Sequence, residues 1–518
     1  MIVPLIVGII ISLIYYPWMF VGKTLSGGDW PYLFKETIQR FSFLPDPRSL
    51  WLGPYYQITS KVFVEYLHIP WEITERIWWY WMFLAVSFFS SLFLSKVILG
   101  KSKFNFLSVL IFLTNTYILM IVGGGQIGVA LAYAFAPMVL GSFINYLNKN
   151  SSKNLIFAGI ILAIQIMFDP RIAYVMGFGI ILYFFISLIL DKNRRQLIFR
   201  FISFLFASAV IAFLINSPWI IAQFFSGNKN FLINSSLGSI GSLNFFSFGS
   251  FSYAFSLLHP NWPENIFGKT YFLKPEFLLL PLLAFSSLLF LGKEKKLRKE
   301  ILAFSLLGLL GVFLSKGVQE PFGQIYEWMF AHVSGFILFR DPTKFYVLIV
   351  LSYLILIPFG LGRIAKNISS RFNFRAAISL MPILFLLLWA FLIRPAFSGE
   401  LSGTFKPHQV PPEYVSLKNF LVKDTVYSTT LWVPNKSSLS FYSPTHPLLE
   451  RATFSEKFLK ENKIKYIIVP EDTEKKIFLK DREYDEELYR KTVINLAKIS
   501  YITRVAEFGK IIVFQVHE

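Results

Sequence analysis

Cysteine is absent from this 518-residue chain, which excludes disulfides, thiolate metal sites and a cysteine nucleophile. Charge is scarce too: 16% of the residues are Asp, Glu, Lys or Arg, against roughly a quarter in an ordinary soluble domain. There is no clear internal repeat and no sustained low-complexity tract. The last 120 or so residues hold no phosphate-cradling glycine loop, nucleophile elbow or metal-ligand spacing.

What the chain does have is apolar length. Hydrophobic residues make up 54% and aromatics 18%, and they come in runs long enough to cross a bilayer, which takes roughly 20 apolar residues in a helix. Such runs fill most of residues 1–394 and then stop. They predict eleven spans: Ile2–Val21, Ile77–Leu99, Phe104–Val122, Ile127–Leu147, Leu155–Phe168, Ile172–Leu190, Phe201–Ile221, Phe277–Leu291, Ile301–Leu314, Phe345–Leu361 and Ala376–Ile393. The first lacks a basic leader and a small-residue cleavage site, so it reads as a retained span.

The formal net charge of +19 sits almost wholly in short loops. Those after spans two, four, six, eight and ten, with Lys96 at their edge, hold 18 Lys and Arg against 3 acidic residues, while residues 395–518 hold 18 against 16. This alternation is the positive-inside bias, a topology signal, and it argues against a nucleic-acid partner. The predicted fold is therefore a polytopic α-helical membrane protein of about eleven transmembrane helices, N-terminus in and C-terminus out. Residues 1–394 form the membrane region, with a long first outer loop at 22–75, and residues 395–518 form a small extracytoplasmic α/β domain. In that domain Lys465–Val469 and Lys510–Val516 read as strands, Phe508-Gly509-Lys510 as a hairpin turn, and Glu483–Ile499 as an amphipathic helix.

The polar residues at the outer ends of the spans are the candidates for chemistry. Asp29, in Gly27-Gly28-Asp29-Trp30, is either a helix cap before Trp30-Pro31 or a carboxylate beside apolar rings with a raised pKa, as a general base needs. Arg340 and Lys344, in Phe339-Arg340-Asp341-Pro342-Thr343-Lys344-Phe345, suit phosphate oxygens or, equally, anchor the chain at the interface. Asp341 either orients Arg340 or caps span ten. Asp169 and Arg171 offer a second acid and a second phosphate contact, or simply make a tight turn. Gly123-Gly124-Gly125 reads as close backbone packing. Phe224–Phe255 reads as an interfacial aromatic belt or the lining for an isoprenoid chain. His259 and His332 are isolated in sequence and make a poor case for zinc.

These features together resemble the GT-C superfamily of membrane glycosyltransferases, in the branch of the bacterial arabinofuranosyltransferases and lipoteichoic-acid glycosylating proteins. The resemblance rests on Asp29 after the first span, on Arg340 to Phe345 as an Arg-x-Pro-x-Lys-Phe-like segment entering a late span, and on Asn462 to Val469 as an outer-domain strand. It implies transfer of a sugar from a polyprenyl-phosphate donor to an envelope glycan, glycolipid or glycoprotein acceptor on the outer face. Asp29 would then be the base, Arg340, Lys344 and Arg171 the donor-phosphate contacts, and Asp169, Asp341 and His332 auxiliary residues. Many superfamily members carry a further acidic residue in the second outer loop, where this chain has only Gly123–Gln126. A divalent cation (Mg or Mn) held by Asp29 and Asp169 is left open. So are two other readings: a flippase for a lipid-linked saccharide, and a scaffold in which Asp29 and Arg340 lie apart.

Overall fold

A computed structural model describes residues 2–30, 34, 36–37, 50–225, 239–260, 275–292, 295–437, 439–470 and 486–517. Residues 226–238 of the predicted aromatic stretch Phe224–Phe255 lie outside these residues, as does the outer loop at 261–274. All eleven predicted spans fall on helices. Six helices are long and apolar enough to cross a membrane: Ile2–Met19, Trp71–Leu99, Ile127–Lys149, Pro170–Leu190, Arg194–Ile221 and Pro342–Arg371. The apolar helices Ser152–Phe168, Pro275–Phe290 and Ala377–Leu392 are shorter.

The third predicted span is broken. Asn105–Thr114 and Thr116–Gly123 meet at 42° because Asn115 leaves helical geometry. Its side-chain oxygen caps the second piece at the Ile118 amide (3.1 Å) while its amide nitrogen closes the first on Ile111 O (2.9 Å). This is the local competition for backbone hydrogen bonds that makes Asn a helix boundary.

Two helices form the centre. Ile127–Lys149 and Pro342–Arg371 are each 94% buried over their most apolar stretch, whereas Arg194–Ile221 is 11% buried. A helix apolar all round belongs inside a bundle or against lipid, so the first two are the core and the third is a lipid-facing wall. Gly311 shows how closely the core packs: a Cβ there would lie 2.9 Å from the Ile349 backbone nitrogen.

Beyond the last span a five-stranded sheet runs in the order β2-β1-β3-β5-β4, with β1 Thr429–Trp432, β2 Leu448–Glu450, β3 Ile464–Pro470, β4 Ile502–Phe508 and β5 Ile511–Val516. β3 pairs parallel with β1 and antiparallel with β5. The β4–β5 hairpin closes at Gly509, whose φ of +56° suits glycine. Alternation divides β3 between two cores. Tyr466 and Ile468 meet the Pro412–Lys423 helix through Tyr414 and Leu417, while Ile467 and Val469 meet the Glu486–Ala497 helix through Tyr489 and Leu496. The result is a three-layer α/β/α unit.

This unit sits on the first loop. Lys418 pairs with Glu36 (3.1 Å), Thr37 donates to Tyr442 O (3.2 Å), and Thr24 and His408 exchange backbone hydrogen bonds. On the opposite, basic side Lys299 pairs with Asp191 (3.0 Å) and Lys103 donates to Ser379 at the start of the Ala377–Leu392 helix (3.1 Å).

Candidate active site

Asp29 sits on a turn that is fixed from three sides. Gly27 and Trp30 exchange backbone hydrogen bonds (2.9 and 3.0 Å), and Gly28, at φ +56°, makes the reversal. The Asp29 amide donates to Gly124 O (2.9 Å). Gly125, at φ +75°, is where the two loops touch: a Cβ there would stand 2.2 Å from Gly27 O and 2.6 Å from Trp30 N. The glycine run is therefore a packing element, and what it packs against is the Asp29 turn. Gly125→Ala is expected to push the loops apart, at a cost of about 1–2 kcal/mol for the left-handed backbone alone. Amide hydrogen exchange at Asp29 and Trp30 should speed up accordingly. Unchanged exchange there would contradict the close approach.

The third anchor was not legible in the sequence. The Trp30 indole donates to Glu75 Oε1. Glu75 faces Arg76 (3.6 Å), with both side chains almost wholly buried. Arg76 in turn donates to Phe20 O, Lys23 O (2.6 Å) and Glu72 O (2.9 Å). One buried pair thus grips the chain before and after the turn. The sequence placed Glu75 at the edge of a polar loop, whereas the structure puts both residues inside the Trp71–Leu99 helix among tryptophans. Buried charges are tolerated when paired and hydrogen-bonded, as these are.

The Asp29 carboxylate accepts from Gln126 Nε2 (3.0 Å) through one oxygen. Its other oxygen has no hydrogen bond among the described residues. The side chain opens to solvent on one side and is crowded by protein on the others. Lost hydration raises its pKa above the ordinary carboxylate value, opposed by the Gln126 hydrogen bond and by the charges of Lys344 and Arg171. The segment it would cap, from residue 31, lies outside the described residues.

Two of the predicted acids are structural. Asp169 caps the Pro170–Leu190 helix at the Arg171 amide (2.8 Å) and forks onto the Arg171 guanidinium (2.6–3.2 Å). Asp341 caps the next predicted site in the same way, accepting from the Thr343 amide (3.1 Å) and hydroxyl (2.6 Å) and from Lys344 Nζ (2.7 Å). Burial pushes the Asp341 pKa up, but Lys344 and Thr343 overcome it and hold the acid at about 2. Asp341 therefore pairs with Lys344 and not with Arg340. Lys344 is buried and paired with Asp341.

Arg340 is left. It makes no ion pair among the described residues and lies over the Phe246 ring (5.2 Å). Its environment disfavours its charge, first through burial and then through the neighbouring Arg171, with Asp341 opposing. With Asp169–Arg171 and Asp341–Lys344 paired off, Asp29 and Arg340 are the charges of the cluster without an ion-pair partner among the described residues.

Of the two histidines, His332 is not in the cluster. It is exposed on the Gly323–His332 helix, stacked on Trp328 (5.2 Å). His259, which looked isolated, is buried between Tyr117 and Tyr346 (5.8 and 5.3 Å) behind the Asp341–Lys344 pair. Burial lowers its pKa to about 4, so the ring is neutral at pH 7. Its amide donates to Thr116 Oγ1 (2.8 Å), 143 residues away, a contact without any local sequence signal.

Among the described residues no three His, Asp or Glu side chains gather as ligands, and both Asp169 oxygens accept from Arg171.

Sequence comparison finds no matching family model and no matching curated protein. The fold does have solved counterparts. A mutant of the arabinofuranosyltransferase AftD from mycobacteria aligns over 100% of this chain at a TM-score of 0.60 and 12% identity. The Archaeoglobus fulgidus oligosaccharyltransferase, solved with zinc and sulfate, aligns over 89% at 0.50 and 10%. The chain spans 41% of the first protein's length and 67% of the second's.

Proposed function

Since the chain has the fold of the GT-C membrane glycosyltransferases, we propose that it transfers a sugar from a polyprenyl-phosphate donor to a hydroxyl of an envelope glycan, glycolipid or glycoprotein. The observation that carries this reading is that Arg171 acts electrostatically on both Asp29 and Arg340, neither of which has an ion-pair partner among the described residues. A scaffold would keep the two apart and separately satisfied.

In the proposed reaction Asp29 takes the proton of the acceptor hydroxyl, whose oxygen forms a bond to the anomeric carbon. The bond from that carbon to the phosphate oxygen breaks, and the phosphate leaves with the electron pair. Arg340 and Arg171 face the charge that grows on it. Gln126 holds one Asp29 oxygen and leaves the other for the proton. In this proposal residues 1–394 cross the membrane eleven times with the basic loops in the cytoplasm, and residues 395–518 lie outside above the site. A flippase would need polar groups along its path, whereas the ionisable groups of this site gather at one end.

The test is release of polyprenyl phosphate. Purified protein in liposomes is given a panel of polyprenyl-phosphate pentoses and hexoses with envelope extract as acceptor, and the freed lipid phosphate is measured. Turnover of one donor supports the reading, and turnover of none contradicts it. The pH profile adds a second check. A base works deprotonated, so activity is full above the Asp29 pKa and falls as pH drops through it. Because that pKa is raised, the acid limb should lie above the ordinary aspartate value of about 3.9. A limb at or below that value would remove Asp29 from the role.

A further inference from the structure

We propose that the basic end of the bundle carries a built site for the headgroup of one anionic glycerophospholipid. A concavity of about 350 Å³ opens there between the end of the Ile127–Lys149 helix and the start of the Arg194–Phe225 helix, lined by Asn150, Arg195, Gln196, Phe199 and Arg200.

The lining has two guanidiniums, two side-chain amides and no acid. Arg200 donates to Leu147 O, which fixes its guanidinium at the rim. Arg195 makes no ion pair among the described residues, and the acid just ahead of it in sequence, Asp191, is engaged by Lys299 (3.0 Å). Two forked cations with unspent donors suit the oxygens of a phosphate.

The surroundings say which phosphate. From Phe199, 71% exposed at the edge of the concavity, an apolar stripe runs along the same helix through Ile202, Phe206 and Phe213, at spacings that keep one face. Its other side packs inward through Phe204 and Ser208. A soluble anion has no use for that stripe, whereas the acyl chains of a phospholipid would lie along it. Scattered basic residues also attract anionic lipids, but without a fixed partner. A built site differs in depending on Arg195 and not on the total charge of that end.

The experiment uses the full chain in detergent and does not depend on the glycosyltransferase reading. Lipid retention is measured by native mass spectrometry, and thermal unfolding by tryptophan fluorescence, with phosphatidylglycerol, phosphatidylcholine or inorganic phosphate added. One retained phosphatidylglycerol and a raised melting temperature are expected, with phosphatidylcholine and inorganic phosphate giving neither. Arg195→Gln should weaken phosphatidylglycerol retention about tenfold, while Arg298→Gln, which removes the same charge from an exposed residue of the same end outside the concavity, should leave it intact. Equal retention of the two lipids, equal losses in the two variants, or stabilisation by inorganic phosphate alone would each overturn the proposal.

Discussion

Asp29→Asn is expected to slow sugar transfer by about 10²–10⁴-fold, the usual contribution of a positioned general base, with donor binding and thermal stability nearly unchanged. The substitution is close to isosteric. Three of the contacts that hold the turn are to its backbone or to Trp30: the Asp29 amide on Gly124, the Gly27–Trp30 pair, and the Trp30 indole on Glu75. The side-chain partner among the described residues, Gln126, can still donate to the Asn oxygen. The proton acceptor alone is lost, so the loss should fall on kcat and not on KM. If Asp29→Asn lowers the melting temperature as much as it lowers activity, the carboxylate is structural and the catalytic reading fails.

Arg340→Gln is expected to cost about 10²–10³-fold in kcat, the scale for removing one preorganised donor from a charge that develops in the transition state, and to weaken donor binding as well. Lys344→Met makes the informative contrast, because it leaves Asp341 buried without its partner (Lys344 Nζ to Asp341 Oδ2, 2.7 Å). Breaking a buried pair on one side costs about 3–5 kcal/mol, so this variant should lose stability first and activity as a consequence. The two cations stand four residues apart in one motif, yet the structure assigns them different work. Arg340 lies over Phe246 with no ion pair among the described residues, and Lys344 is held by the Asp341 cap. Equal stability losses in the two variants would contradict that division.

How much of this was readable from the chain depended on the range of the interaction. Hydropathy found the apolar helices, each a local run, of which six are long and apolar enough to cross a membrane. It missed the break at Asn115, where a single polar side chain outcompetes the surrounding helix. Asp29, Arg340 and Arg171 were readable as polar residues at span ends, and the caps made by Asp169 and Asp341 were visible as Asp-Pro pairs. Gln126, Glu75 and Arg76 were not, since each acts on residues 45 to 97 positions away. The same limit explains His259. In the last domain β3 and β5 announced themselves as buried β-branched runs. β4, mostly exposed with Arg504 and Glu507, and the three-residue β2 carried little apolar signal.

In the proposed reaction one phosphosugar lies between Asp29 on one side and Arg340 with Arg171 on the other. The direct measurement is a structure of the Asp29→Asn variant trapped with its polyprenyl-phosphate sugar. Phosphate density in contact with both the Arg340 and Arg171 guanidiniums is expected, with the anomeric carbon facing residue 29. Phosphate bound elsewhere, with Arg340 still resting on Phe246 and residue 29 remote from the sugar, would contradict it.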